Sequence, residues 1–249
     1  GKSWRQVIAP TRSQLTSVFF TDSSHGWAAG HDGVILHSAD AGESWVMQHQ
    51  DQQYDDPVLD IWFRNRREGF AIGAYGMFLS TSNGGRSWDR RSIIDEDFHF
   101  NAITALPDGE MFIAAEQGHL YHSIDEGYNW EKLPSPYAGS FFGITAIRNN
   151  SLLVFGLRGH LFRSQDRGRS WQPIDSGTEA SLMDATQTSE NSIFLVGLGG
   201  NILNSTDGGE HFSLRTRKDR KALTAVIEGN NGTLVISGAA GISVDSETR

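Results

Sequence analysis

The sequence predicts an all-β fold, a six-bladed β-propeller of four-stranded antiparallel blades. Three observations predict it: one motif recurs five times at nearly even spacing, other positions repeat in phase with it, and the two chain ends carry complementary halves of a sixth copy.

The motif is S/T-x-D/N-x-G-x-x-W/F. Its copies run Ser38–Trp45, Thr81–Trp88, Ser123–Trp130, Ser164–Trp171 and Ser205–Phe212. The closing aromatics thus fall at near-equal intervals of about 40 residues, the length of one propeller repeat. Twelve residues before each aromatic stands Gly33, Gly76, Gly118, Gly159 or Gly200. Fifteen before it stands Gly30, Gly73, Ala115, Gly156 or Gly197, and twenty-seven before it Val18, Ile61, Ile103, Ile144 or Ala185. Four-stranded units of this length, stacked radially, are propeller blades.

Within the first unit the alternation of β-branched and aromatic residues predicts strand A at Leu15–Phe20, B at Trp27–Gly30, C at Val34–His37 and D from Trp45. The B–C connection is a short Gly-x-x-Gly turn, where glycine accepts a positive φ. The C–D connection is the motif itself. There Asp40, Asn83, Asp125, Asp166 and Asp207 are expected to bond nearby backbone N–H groups as Asx-turns. Trp45, Trp88, Trp130, Trp171 and Phe212 then open strand D and cover the hairpin base. No segment holds a 3.6-residue period, so essentially no helix is expected.

The ends complete the count. Gly1-Lys-Ser-Trp4 matches the close of the motif, and Gly238–Arg249 matches the Gly-x-x-Gly turn and the motif's start. One further step of the same length from Phe212 runs past Arg249 and lands on Trp4. The expectation is a single domain over 1–249, its last blade taking strands A to C from Leu223–Val244 and strand D from Trp4–Ala9. The ring thus closes between 223–249 and 1–9 and leaves no open end.

Composition narrows the function. Lys+Arg 21 against Asp+Glu 30 gives a net charge of -9, which argues against binding a phosphate backbone. Cysteine is absent, so disulfides, thiolate metal sites and cysteine nucleophiles are excluded. No apolar run approaches the ~18 residues of a membrane-spanning helix.

The motif resembles the Asp-box, or BNR repeat, of sialidases, xyloglucanase-type hydrolases, sortilin-like receptors and the photosystem II assembly/stability factors. The last resemblance is the nearest and covers the whole chain. It rests on Phe20-Thr-Asp-Ser-Ser-His-Gly-Trp27-Ala-Ala-Gly30-His-Asp-Gly33 and on Phe63-Arg-Asn-Arg-Arg-Glu-Gly-Phe70-Ala-Ile-Gly73-Ala-Tyr-Gly76. Six units are counted here, whereas the photosynthetic factors resemble seven-bladed rings. The resemblance implies a non-catalytic scaffold that binds another protein in assembling a membrane-associated complex, in a periplasmic, lumenal or secreted location. No cofactor and no metal are expected.

Candidate binding residues follow. Arg64, Arg66 and Arg67 share the A–B turn of the second blade, Arg86 its C–D turn, and Arg90 and Arg91 its strand D. Such an arginine surface can fork onto a partner's carboxylates. Tyr54 and Tyr137 in the D–A loops are candidate anchors, and Arg158 is the one basic residue of the B–C turns. Arg217 belongs to a second basic run, Arg215–Lys221. The alternative is a sialidase-like glycosidase or a glycan binder using an acidic loop face, with Asp51, Asp55, Asp56, Asp60, Asp95, Glu96, Asp97 and Glu116 as its carboxylates. The Phe/Tyr-Arg-Ile-Pro element of sialidases is missing. A metal shared by His119 and His160 has only their equivalent positions in adjacent blades behind it.

Overall fold

The computed structural model describes residues 4–51, 55–229 and 232–245. It is a six-bladed β-propeller, nearly all β. The chain forms two compact units, residues 4–103 and residues from 104 onward, and the boundary falls within one strand.

The first unit holds two complete sheets. One is β1 (Leu15–Phe20), β2 (Gly26–Gly30), β3 (Ile35–Ser38) and β4 (Val46–His49); the other is β5 (Val58–Phe63), β6 (Gly69–Gly73), β7 (Phe78–Thr81) and β8 (Asp89–Arg90). Each is a meander in which every strand pairs with the next. β9 (Phe100–Ala105) contains the boundary and belongs to the sheet of β10 (Met111–Ala115), β11 (Leu120–Ser123) and β12 (Glu131–Lys132).

The second unit continues with β13 (Phe141–Ile147), β14 (Ser151–Gly156), β15 (Leu161–Ser164) and β16 (Gln172–Ile174). The next sheet is β17 (Leu182–Gln187), β18 (Ile193–Gly197), β19 (Asn201–Ser205) and β20 (Ser213–Thr216). The sixth is β21 (Leu223–Glu228), β22 (Leu234–Gly238) and β23 (Gly241–Asp245), three strands among the described residues.

Residues 4–9 form no strand. The strand D expected at Trp4–Ala9 is therefore not present there, and residues 1–3 and 246–249 of the expected closure lie outside the described ones. The physical reason is local. Arg5 pairs with Glu43 of the first motif, and Ala9 packs on the cluster of Ala28, Val34 and Leu36, so the first sheet holds this segment.

The second strand of each of the first five blades is buried along its whole length, as an inner strand covered on both faces must be. In the first unit Trp27 lies flat on Phe63, with ring centroids 3.6 Å apart, over Ile61, Met77 and Leu79. Leu153, Phe155, Leu182, Leu195 and Leu203 form an equivalent cluster in the second unit.

The B–C connections of the first five blades are single 3-10 turns, and the sixth, at residues 239–240, is a two-residue turn. Each 3-10 turn carries a residue at positive φ followed by a glycine at positive φ, as in Arg158 (φ 57) and Gly159. That glycine has a second reason to be small: a Cβ on Gly159 would lie 2.0 Å from the Thr178 carbonyl oxygen. In this way each of these five B–C turns is pressed against a D–A loop.

Candidate functional site

The motif turns are hydrogen-bonded cages. Ser164 Oγ donates to Asp166 Oδ1 at 2.8 Å and accepts the Gly168 N–H at 2.8 Å. Asp166 in turn accepts the Ser170 N–H at 2.8 Å and the Ser170 hydroxyl at 2.6 Å. The same net recurs at Ser38–Asp40–Ser44, Thr81–Asn83–Ser87, Ser123–Asp125–Asn129 and Ser205–Asp207–His211. The residue before the aromatic thus completes each cage, a role the consensus left as an unspecified position. Trp45 and Trp130 donate Nε1–H to the Gly42 and Gly127 carbonyls at 3.2 and 3.1 Å. Trp88, Trp171 and Phe212 occupy the same place in their turns, with Trp88 and Phe212 packed against the cores. The Ser44 hydroxyl and N–H hold the Asp40 carboxyl down at about 2, and the His211 N–H and ring pull the Asp207 carboxyl below its ordinary range. These carboxylates are satisfied within their own turns.

The six arginines of the second blade divide between its two ends. Arg64, Arg66 and Arg67 lie on the β5–β6 turn, and Arg86 on the β7–β8 turn. The two turns are tied by the Gly84 N–H donating to the Arg67 carbonyl at 2.8 Å. Arg66 Nε donates to Asp22 at 2.7 Å and is the main reason that this carboxyl sits far below its usual range. Arg64 is half-buried and stands 3.8 Å from Glu68. Arg67 and Arg86 are exposed and make no ion pair among the described residues. Arg90 and Arg91 belong to the opposite end, where β8 meets Phe78. Arg90 reaches Asp51 at 3.5 Å and Asp56 at 3.2 Å, and Arg91 lies over the Phe78 ring at 5.6 Å.

The acidic loop residues are dispersed in role. Asp51 and Asp56 are committed to Arg90, Asp60 lies on β5 with its carboxyl desolvated, and Asp95, Glu96 and Asp97 are exposed. Tyr54 lies outside the described residues. Arg217 is held by Ser243 Oγ at 2.9 Å and Asp219 at 3.3 Å, and Arg215 pairs with Asp245.

Tyr137 and Arg158 are brought together. Both line an open groove of about 510 Å³ in the second unit, with Pro136, His160, Pro173 and Ile174. Tyr137 stacks on His160 with centroids 3.9 Å apart and planes 16° from parallel, and Phe162 is buried beneath. His160 sits in this aromatic stack, with its Nδ1 3.2 Å from the Leu157 carbonyl oxygen. The groove walls are two like loops. Ser135 Oγ donates to the Tyr137 carbonyl at 2.7 Å, and Ser176 Oγ to the Thr178 carbonyl at 3.1 Å. The Ser140 and Ser181 hydroxyls accept the N–H groups of Gln117 and Arg158, each at 3.4 Å. These serines recur one repeat length apart, a signal in the sequence that the strand positions overshadowed.

Fold and turns together define a six-bladed β-propeller built on a recurrent Asp/Asn–Gly turn, with exposed cation and aromatic sites on its loops. Residues 47–177 match the family model described as "Photosynthesis system II assembly factor YCF48". The chain belongs to that family. It is 43% identical over 47 residues to "Photosystem II stability/assembly factor HCF136, chloroplastic" of Cyanidioschyzon merolae, a match spanning 18% of this chain and 11% of that protein. The solved structure "YCF48 bound to D1 peptide" superposes with a TM-score of 0.75 at 19% identity, over 96% of this chain and 84% of that one. A virginiamycin B lyase of Staphylococcus aureus gives a TM-score of 0.84 at 14% identity, over 98% and 84%. These structures share the fold. Among the described residues no helix is long and apolar enough to cross a membrane.

Proposed function

We propose that the chain is a non-catalytic assembly factor that binds another protein, a subunit of a membrane-associated complex, as a monomer in a lumenal, periplasmic or secreted location. The motif turns are its Asp-boxes, and they serve the fold. The observation that carries the reading is the pair Arg67 and Arg86: exposed, without ion pairs among the described residues, on two turns hydrogen-bonded to each other. Exposed guanidinium groups in an acidic chain favour carboxylates on a partner. Membership of an assembly-factor family and a D1 peptide on one solved relative support the same class of partner. Arg66 and Arg64 brace the turns, so the test leaves them in place. Pull-downs from the native membrane fraction compare wild type with the double variant Arg67→Ala, Arg86→Ala. Partner recovery drops in the variant; equal recovery removes this surface from the binding site.

A further inference from the structure

We propose that the Tyr137–His160 groove is a second, separate binding site, which takes an extended, proline-containing segment of a partner protein with an acidic side chain placed on Arg158. The inference rests on the reading that the chain binds protein and adds the chemistry of a segment it accepts.

The groove offers three kinds of contact. Its floor and walls are ring surfaces: the Tyr137–His160 stack, Pro136 and Pro173, with Ile174 half-buried beside them. Prolyl rings pack on such surfaces, and a polyproline II segment costs little entropy to immobilise because it is already extended. The Tyr137 hydroxyl has no hydrogen-bond partner among the described residues, although the Tyr137 backbone is fixed by Ser135. A polyproline II backbone has no internal hydrogen bonds, so its carbonyls are free to accept from such a hydroxyl.

The third contact is Arg158. It is exposed, makes no ion pair among the described residues, and stands at the left-handed position (φ 57) that Asp32, Tyr75 and Gln117 fill in the first three blades. The other charge of the groove, Asp175, already accepts the Gly177 N–H at 2.9 Å. Arg158, without such a partner, is the charge left to meet an occupant's carboxylate. The walls are fixed in advance: a Cβ on Gly118 would lie 2.0 Å from the Tyr137 carbonyl oxygen, and one on Gly159 2.0 Å from that of Thr178. Preformed walls lower the ordering cost of binding.

The test is a fluorescence-anisotropy titration of the full chain with a labelled peptide of alternating Pro and Asp residues. Two controls replace every Pro by Gly or every Asp by Lys. Wild type binds the Pro/Asp peptide saturably and the controls at least about tenfold more weakly, a difference near 1.4 kcal/mol. Arg158→Glu weakens the Pro/Asp peptide by a similar factor and favours the Lys peptide. Tyr137→Phe keeps the ring and loses the hydroxyl, and weakens binding about threefold to tenfold. Absence of saturable binding by wild type, equal binding of the Gly control, or indifference to both variants overturns the proposal. The membrane-fraction pull-down distinguishes the two readings: partner capture that depends on Arg67 and Arg86 while the peptide fails to bind removes the groove and leaves the protein-binding function standing.

Discussion

Asp60 Oδ2 accepts the backbone N–H of Ile103 at 2.9 Å, so a carboxylate on β5 holds the strand of another blade. Its Oδ1 takes the Ser17 hydroxyl at 2.7 Å and the Ile61 N–H at 2.9 Å, which brings β1 into the same net. Asp184 repeats the device in the second unit, where its carboxylate accepts the N–H groups of Ala185 and Val226, both at 2.8 Å. Desolvation raises the Asp60 carboxyl above its ordinary range against the pull of these three donors. The sign follows from linkage. The folded state keeps its proton where the unfolded chain, near ~3.9, has lost it. Stability from this group therefore falls as pH rises from the unfolded value through the folded one. Asp60→Asn places an amide N–H against a backbone donor and costs roughly 1–3 kcal/mol. The advantage of wild type over Asp60→Asn, read by denaturant melts across pH, shrinks as pH rises. An advantage that grows with pH contradicts the retained-proton account.

The motif carboxylates titrate with the opposite sign. Asp40 lies at about 2 in the folded chain, chiefly through the Ser44 hydroxyl and then its N–H. Its contribution is present above the unfolded value and is lost as pH falls toward 2. Ser44→Ala removes the 2.6 Å hydroxyl bond and leaves the N–H bond. The Asp40 midpoint, followed by NMR, then moves up toward the ordinary carboxylate value. No movement would mean that the hydroxyl does not govern it.

Strand order, blade number and cage position were all legible because each recurs with the period. A strand buried on both faces writes itself as an unbroken apolar run, such as Gly69–Gly73, and a tight turn writes itself as glycine. What recurs once per chain was not legible. The stack of Tyr137 on His160 joins a loop to the residue that precedes β15 and depends on ring orientation, which spacing does not encode. The arginine run of the second blade read as one patch, yet the antiparallel reversal of β7 and β8 sends Arg90 and Arg91 to the end opposite Arg67. The residues 4–9 carry the right phase for a strand, but phase alone does not outweigh the contacts that Arg5 and Ala9 make with the first sheet.

Trp27 couples two blades through one indole. Its ring stacks on Phe63, while Nε1–H points to Gln48 Oε1 at 3.1 Å and the Gly84 carbonyl at 3.3 Å. Trp27→Phe preserves much of the stack and removes the donor, at a cost of roughly 1–3 kcal/mol from the lost bond and the small void. Trp27→Ala also removes the stacked area and costs about 3–5 kcal/mol. Urea melts separate the two. Equal losses would show that the hydrogen bond, and not the stacking, carries the coupling.

Gly73 and Gly241 separate two reasons for being glycine. Gly73 has an extended backbone at φ -169, yet a Cβ there would lie 2.2 Å from the Pro57 carbonyl oxygen, where Ala74 donates its N–H to the same oxygen at 3.1 Å. Gly241 has no atom of the described residues within 4 Å of such a Cβ but sits at φ +84. Gly73→Ala must push two backbones apart at the β5 bulge and costs roughly 2–3 kcal/mol, within the range for overpacking a close contact. Gly241→Ala meets only backbone strain and costs about 1–2 kcal/mol. The third blade shows the accommodation available: Ala115 stands at the Gly73 position with φ -134. If Gly73→Ala melts with wild type, β6 has rotated as that blade has, and close approach is not what holds the position to glycine.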